Sequence, residues 1–204
     1  MNKVPGSWET IALAELCERL VDGSHNPPPA VESGKPMLSA RNINYFSVLF
    51  DEYRFISESA FEVENARTQV TPGDVLLTIV GTIGRAAVVA ANHPPFALQR
   101  SVAVLKPRGI SARYLAYALS SPEQQRWLTD NAKGTAQKGV YLKTLGTAEI
   151  HVAPLAEQTR IVAKLEELLS DLDAGVAELK AAQKKLAQYR QSLLKAAVEG
   201  ALTA

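Results

Sequence analysis

Side chains that donate hydrogen bonds and carry positive charge are gathered in one part of this chain. Residues 85–143 hold nine Lys/Arg against only Glu123 and Asp130, a net of +7, whereas residues 1–84 hold six Lys/Arg against eleven Asp/Glu, a net of −5. The chain as a whole is close to neutral at +1, so the segregation carries the information and the total does not. Arg85, Gln99, Arg100, Lys133, Thr135, Gln137, Lys138, Tyr141 and Lys143 lie in the basic stretch. Guanidinium and carboxamide groups make paired hydrogen bonds to guanine and adenine edges, while Lys and Thr go mostly to phosphate oxygens. The chemistry on offer is recognition of a polyanion and of base edges. The loop Ser24-His25-Asn26 and the pair Arg41-Asn42 bring the same kinds of group and form a secondary set. An ordinary solvated surface is the alternative for any one of these residues; the run from Lys133 to Lys143 is the stronger unit.

Bond-making chemistry finds little support. His25 follows Ser24, but adjacent side chains seldom face each other for proton transfer, and no carboxylate stands at a spacing that would orient them. Gly81-Thr-Ile-Gly84 is the one glycine pattern resembling a phosphate loop, yet it lacks the lysine and a strand follows it, so a turn is expected. One cysteine, Cys17, excludes an intrachain disulfide and a cysteine-based zinc cluster, and the three histidines at 25, 93 and 151 show no metal-ligand spacing. No metal or cofactor is expected on this chain.

The elements that must position the basic groups read as α+β. A composition of 47% hydrophobic and 21% charged residues over 204 positions fits one globular domain plus an appendage. No apolar run approaches a membrane span and the N-terminus lacks a hydrophobic export segment, so a cytoplasmic location without membrane contact is expected. Trp8 to Leu13 reads as an entering turn followed by a helical stretch from Leu13 to Leu20. Val75 to Val80 and Ala86 to Val89 read as a buried hairpin, with Pro72-Gly73-Asp74 setting up its first strand. A third strand runs from Ser101 to Lys106, two short helices are divided at Pro122, residues 133–143 form an exposed loop, and Glu149 to Ala153 returns to strand pattern.

The C-terminus is different in kind. Leu165, Leu172, Leu179, Leu186 and Leu193 recur every seven residues, with Val162, Leu169, Val176 and Ala197 offset by four. That spacing is the apolar seam of a coiled coil, on a helix opened by Pro154 and closed by Gly200. At 1.5 Å per residue, residues 155–199 make a rod of roughly 67 Å, too long for one small domain to cover. Residues 154–173 carry a net of −3 and residues 174–204 a net of +3. An antiparallel self-pair sets the acidic half of each helix beside the basic half of its twin; acids early and bases late also suit the helix dipole, and the two explanations weigh about evenly. Gln183 and Arg190 interrupt the seam and offer a means of fixing register, and Gly175 inside the helix reads as a point of close approach or, less readily, a hinge. Two globular domains held by such a rod match a two-part duplex DNA target.

Several stretches resemble the specificity subunits of type I restriction-modification systems. Ala153-Pro-Leu-Ala-Glu-Gln-Thr-Arg-Ile-Val162 is similar to the start of that family's spacer helix, and Tyr189 to Leu202 to its end. Gly73-Asp-Val-Leu-Leu-Thr-Ile-Val-Gly-Thr-Ile-Gly84 resembles the hairpin of its target recognition domains, and Trp8 with Leu13 their opening. The family's usual subunit carries two recognition domains and two spacer helices, whereas this chain has one of each. The resemblance implies a recognition domain over residues 1–153 and a spacer and dimerisation helix over 154–204. It implies a non-catalytic subunit that reads double-stranded DNA for methyltransferase and restriction/translocase subunits, which would hold S-adenosylmethionine and ATP. Two identical halves reading a symmetric bipartite sequence is one arrangement; a second, different half is the other. From another class, a coiled-coil scaffold that organises a complex without reading DNA is the alternative.

Overall fold

The computed structural model describes residues 5–135 and 137–201; Leu202, the last residue of the C-terminal resemblance, lies outside them. In chain order the elements are β1 (Glu9–Ala12), β2 (Cys17–Asp22), β3 (Lys35–Leu38), a single 3-10 turn (Ala40–Asn42), β4 (Ile43–Asn44), β5 (Ser47–Val48), β6 (Arg54–Ile56), α1 (Glu58–Thr68), β7 (Val75–Thr78), β8 (Ala86–Val88), β9 (Ala97–Leu98), β10 (Val102–Pro107), α2 (Ala112–Leu119), α3 (Pro122–Asp130), α4 (Leu142–Leu145), β11 (Glu149–Val152) and α5 (Leu155–Val198). The α+β class read from the sequence holds. Residues 1–159 and 160–204 form two compact units.

In the first unit, an antiparallel sheet ordered β2-β10-β7-β8 supplies the frame. Val75–Thr78 of β7 is buried at every position and Val102–Leu105 of β10 likewise, because both faces of these strands are covered. The expected hairpin is present, with Val75 opposite Val88 and Leu77 opposite Ala86. Asp74 prepares its first strand: the buried carboxylate accepts from the Thr71 amide at 2.8 Å and from Lys106 Nζ at 2.8 Å, the Lys106 amine also reaching the Gln69 carbonyl. A second sheet, β6-β3-β9, pairs β3 antiparallel to β6 and parallel to β9. The main core joins both sheets through Leu38, Ile43, Leu76, Val89, Phe96, Leu98, Val102 and Val104.

The helical stretch expected from Leu13 to Leu20 is not formed. Leu13, Leu16 and Cys17 are buried at helix-like spacing, yet only one turn closes there, with the Glu15 and Leu16 amides on the Ala12 carbonyl. Cys17 to Asp22 then extends as β2, because pairing along β10 from Val21 opposite Val104 to Arg19 opposite Lys106 outweighs local preference. β1 instead pairs with β11.

The helices start where side chains satisfy their free amides. Ser57, Ser111 and Ser121 accept from the amides of Ala60, Tyr114 and Gln124, and Pro122 occupies the first turn of α3, where its missing N–H costs nothing. At the head of α5 the Gln158 side chain is 1% exposed; its Nε2 donates to the Ala153 carbonyl at 2.8 Å and its Oε1 accepts from the Ser111 amide at 2.9 Å. Tyr114 Oη donates to the His151 carbonyl at 2.8 Å, and the Trp8 ring stands edge-on to Tyr114.

Residues 160–198 continue α5 without interruption, Gly175 included. Val162, Leu165 and Leu169 are half-buried, whereas Leu172, Val176, Leu179, Leu186 and Leu193 are exposed, Leu172 and Leu179 at 61% and Leu186 at 67%. Among the described residues no helix is long and apolar enough to cross a membrane.

Two outcomes test this architecture. Leu76, fully buried between the sheets, should lose about 2–5 kcal/mol of unfolding free energy on replacement by alanine, read by urea denaturation. Burial pushes the Cys17 thiol up to about 12, so it should resist a disulfide reagent at neutral pH and react fully once guanidinium unfolds the chain.

Candidate nucleic-acid interface

Most of the candidate groups collect at one end of the β2-β10-β7 sheet. The antiparallel register places the end of β2 (Asp22 opposite Ala103), the start of β10 and the end of β7 (Thr78 opposite Val102) side by side. The chain leaving β2 passes so close to β9 that a Cβ on Gly23 would lie 2.2 Å from the Leu98 carbonyl oxygen. That approach lets the Ser24 amide donate to Leu98 at 2.7 Å and the Arg100 amide to Ser24 at 2.9 Å, so Ser24-His25 and Gln99-Arg100 are neighbours.

The loop after α3 is stitched to the same edge by main-chain bonds. Lys133 and Gly139 exchange amide-to-carbonyl bonds at 2.8 and 2.9 Å, the Val140 amide donates to Ile79 at 2.8 Å, and the Gly81 amide donates to Lys138 at 3.1 Å. Gly134 closes the loop at φ +123°, where a Cβ would meet the Gln137 carbonyl oxygen at 2.5 Å.

Three adjoining grooves result. One is lined by Ser24, His25, Ser39, Arg41, Thr82, Gln99, Arg100 and Gln137. The second shares His25, Val80, Arg100 and Gln137 with it and adds Asp22, Lys133 and Tyr141. The third shares Ser39, Arg41 and Gln99 with the first and adds Asn42, Glu52 and Arg54. Nine candidates thus lie on one face: Ser24, His25, Arg41, Asn42, Gln99, Arg100, Lys133, Gln137 and Tyr141.

The other five lie outside these grooves. Arg85 is half-buried, its amide donating to Thr78 Oγ1 at 2.9 Å and its Nη1 to the Ile43 carbonyl at 3.5 Å. Asn26, Thr135, Lys138 and Lys143 are exposed, the middle two on the stitched loop and Lys143 on α4 beyond it.

Within the grooves, two candidates are committed to the fold. Asn42 is 1% exposed; its Nδ2 donates to the Leu49 carbonyl at 3.2 Å and the Glu52 carbonyl at 2.8 Å, and its Oδ1 accepts from the Ser39 amide at 3.0 Å. Ser24 is buried and its hydroxyl donates to Glu64 Oε1 at 2.8 Å. Arg41, Arg100, Lys133 and Gln137 are exposed to an incoming ligand, although Arg41 has Glu52 3.6 Å from its Nη1. The expectation that no carboxylate would orient His25 is corrected: its Nε2 stands 2.7 Å from Asp22 Oδ2, three residues earlier, while the Ser24 hydroxyl turns away to Glu64.

Charge counting missed Asp22, Ser39, Thr82 and Arg54, all of which line these grooves. They come from the acidic half of the chain, and only the strand register brings them to the basic half. Among the described residues no group of three or more His, Cys, Asp and Glu could hold a metal ion.

A family model described as the type I restriction modification DNA specificity domain matches residues 5–184. The type I restriction enzyme EcoBI specificity subunit of Escherichia coli is 30% identical over 206 residues, covering 98% of this chain and 43% of that protein. Among solved structures, a chain from work on complex assembly and conformational transition of the type I R-M system superimposes with a TM-score of 0.67 at 23% identity, covering 90% of this chain and 44% of its own. The HsdS subunit from Thermoanaerobacter tengcongensis does so at 0.61 and 23%, covering 84% and 40%. At those identities the likeness establishes the fold. The chain spans less than half the length of the curated relatives it matches.

Replacing Asn42 with alanine should lower stability by about 1–3 kcal/mol in urea denaturation, since it strands two carbonyls and an amide that the carboxamide now satisfies.

Proposed function

The chain belongs to the family of type I restriction-modification DNA specificity domains, and on that premise we propose that it is the non-catalytic component that reads duplex DNA for a type I complex. The observation that carries this reading is the set of adjoining grooves in which exposed Arg41, Arg100, Lys133 and Gln137 converge from separate segments. Arg100 and Gln99 have the geometry classes that pair with guanine and adenine edges; Lys133 suits phosphate, and Lys138 and Lys143 extend the positive surface along the loop and α4.

DNA reading is assigned to residues 1–153 and dimerisation to residues 154–204. Two copies pair antiparallel through α5, burying Val162, Leu165, Leu169, Leu172, Val176, Leu179, Leu186 and Leu193. The support is the heptad row, whose later members are exposed on the single chain, and the opposite charge of the two helix halves. The homodimer then presents two such grooved faces to a bipartite, symmetric target. Methyltransferase and restriction/translocase subunits bring S-adenosylmethionine, ATP and the covalent chemistry, and this chain directs them to the site.

Duplex affinity of the assembled complex should fall linearly in log–log fashion with salt while still discriminating among sequences. Discrimination would be absent in a scaffold that does not read DNA. Replacing Lys138 and Lys143 together with alanine should weaken binding and flatten the salt slope by about two, with dimerisation intact. Unchanged affinity would remove both residues from the interface. Changing Leu172, Leu179 and Leu186 to serine should give monomers in light scattering, and a variant that stayed dimeric would refute the helix pairing.

A further inference from the structure

The grooves contain an exposed imidazole whose proton position a neighbouring carboxylate fixes. Asp22 is 8% exposed, and its two oxygens are divided between His25 Nε2, at 2.7 Å, and Arg67 Nη2. A carboxylate in an ion pair with a guanidinium accepts hydrogen bonds and donates none, so the proton between Asp22 and His25 sits on Nε2. The His25 side chain is nevertheless 54% exposed and lines two of the grooves beside Arg100 and Gln137. Nδ1 has no hydrogen-bond partner among the described residues.

Resting on the DNA-reading role, we propose that His25 is a specificity-determining residue and Asp22 the residue that positions it. When the ring carries a single proton, the bond to Asp22 keeps it on Nε2, so Nδ1 presents its lone pair to the DNA and selects a base that offers an exocyclic amine there, adenine or cytosine, over guanine or thymine. The surrounding cations, Arg41, Arg100 and Lys133, can only donate. Gln99 and Gln137 can rotate their carboxamides to donate or accept as the base demands, and so impose no choice. His25 cannot reverse its ring without breaking the bond to Asp22. In the major groove adenine N6 and cytosine N4 donate, whereas guanine O6 and N7 and thymine O4 would set lone pair against lone pair.

The test uses the full chain assembled with its methyltransferase subunit and a duplex library randomised across the target. The wild-type complex should prefer adenine or cytosine at one position of each half-site. His25→Ala should erase about tenfold of preference at that position alone, the scale of one base-edge contact, leaving the other positions as they were. Long-range proton–nitrogen spectra of the 15N-histidine-labelled chain should show His25 with its proton on Nε2, and Asp22→Asn should shift the ring toward a tautomer mixture while weakening the same base preference.

A His25→Ala complex that loses affinity equally for all sequences would make His25 a phosphate contact and overturn the proposal. So would an unchanged profile, a wild-type preference for guanine at the affected position, or a ring protonated on Nδ1. If the wild-type complex itself shows no sequence preference, the DNA-reading role fails first and this assignment with it; the two failures are told apart by whether the unsubstituted protein discriminates.

Discussion

The antiparallel pairing of β10 with β2 on one side and β7 on the other is the constraint from which the rest of the first unit follows. It buries Val102 to Leu105 against Val75 to Thr78, and its register decides which loops become neighbours. The exit of β2, the approach to β10 and the exit of β7 fall at a single edge, and the loop from Lys133 to Gly139 is hydrogen-bonded to that edge through Ile79 and Gly81. A slip of one residue would turn every side chain of β10 to the opposite face and scatter Ser24, Arg100 and Gln137.

The parts of this arrangement legible in the sequence are those with a local cause. The β7–β8 hairpin announces itself by two apolar runs and glycine-bounded turn, the short helices by capping serines and Pro122, and α5 by a seven-residue leucine period. The stretch from Leu13 to Leu20 misleads because its buried residues repeat like a helix, whereas pairing with β10, distant in the chain, decides its conformation. Residue type alone also fails to separate Asn42, held inside by three main-chain partners, from Arg41, its exposed neighbour. The basic segment's composition points to Arg100, Lys133 and Gln137 but not to Asp22 and Ser39, since groove membership depends on a register that joins them from the acidic segment.

The acidic bias of residues 1–84 has a structural use. Asp22 is paired with Arg67, Asp74 with Lys106, Glu58 with Lys35 and Glu52 with Arg41, so several of these carboxylates order the scaffold or its rim. Buried Asp74 stands where removing Lys106 would leave an uncompensated charge, which is why that pair belongs to the fold. Arg41 and Glu52 are both exposed, and their pairing is correspondingly weak, so the guanidinium can exchange its carboxylate for another anion at small cost.

The closure of the loop between Lys133 and Gly139 is made by main-chain atoms at both of its ends. The side chains of Thr135, Gln137 and Lys138 take no part in those closing bonds, so evolution can exchange them without unravelling the turn, provided glycine stays at 134. Surface chemistry and foldability are in this way separable: point changes at the tip can alter what the loop presents while the scaffold beneath stays as it is.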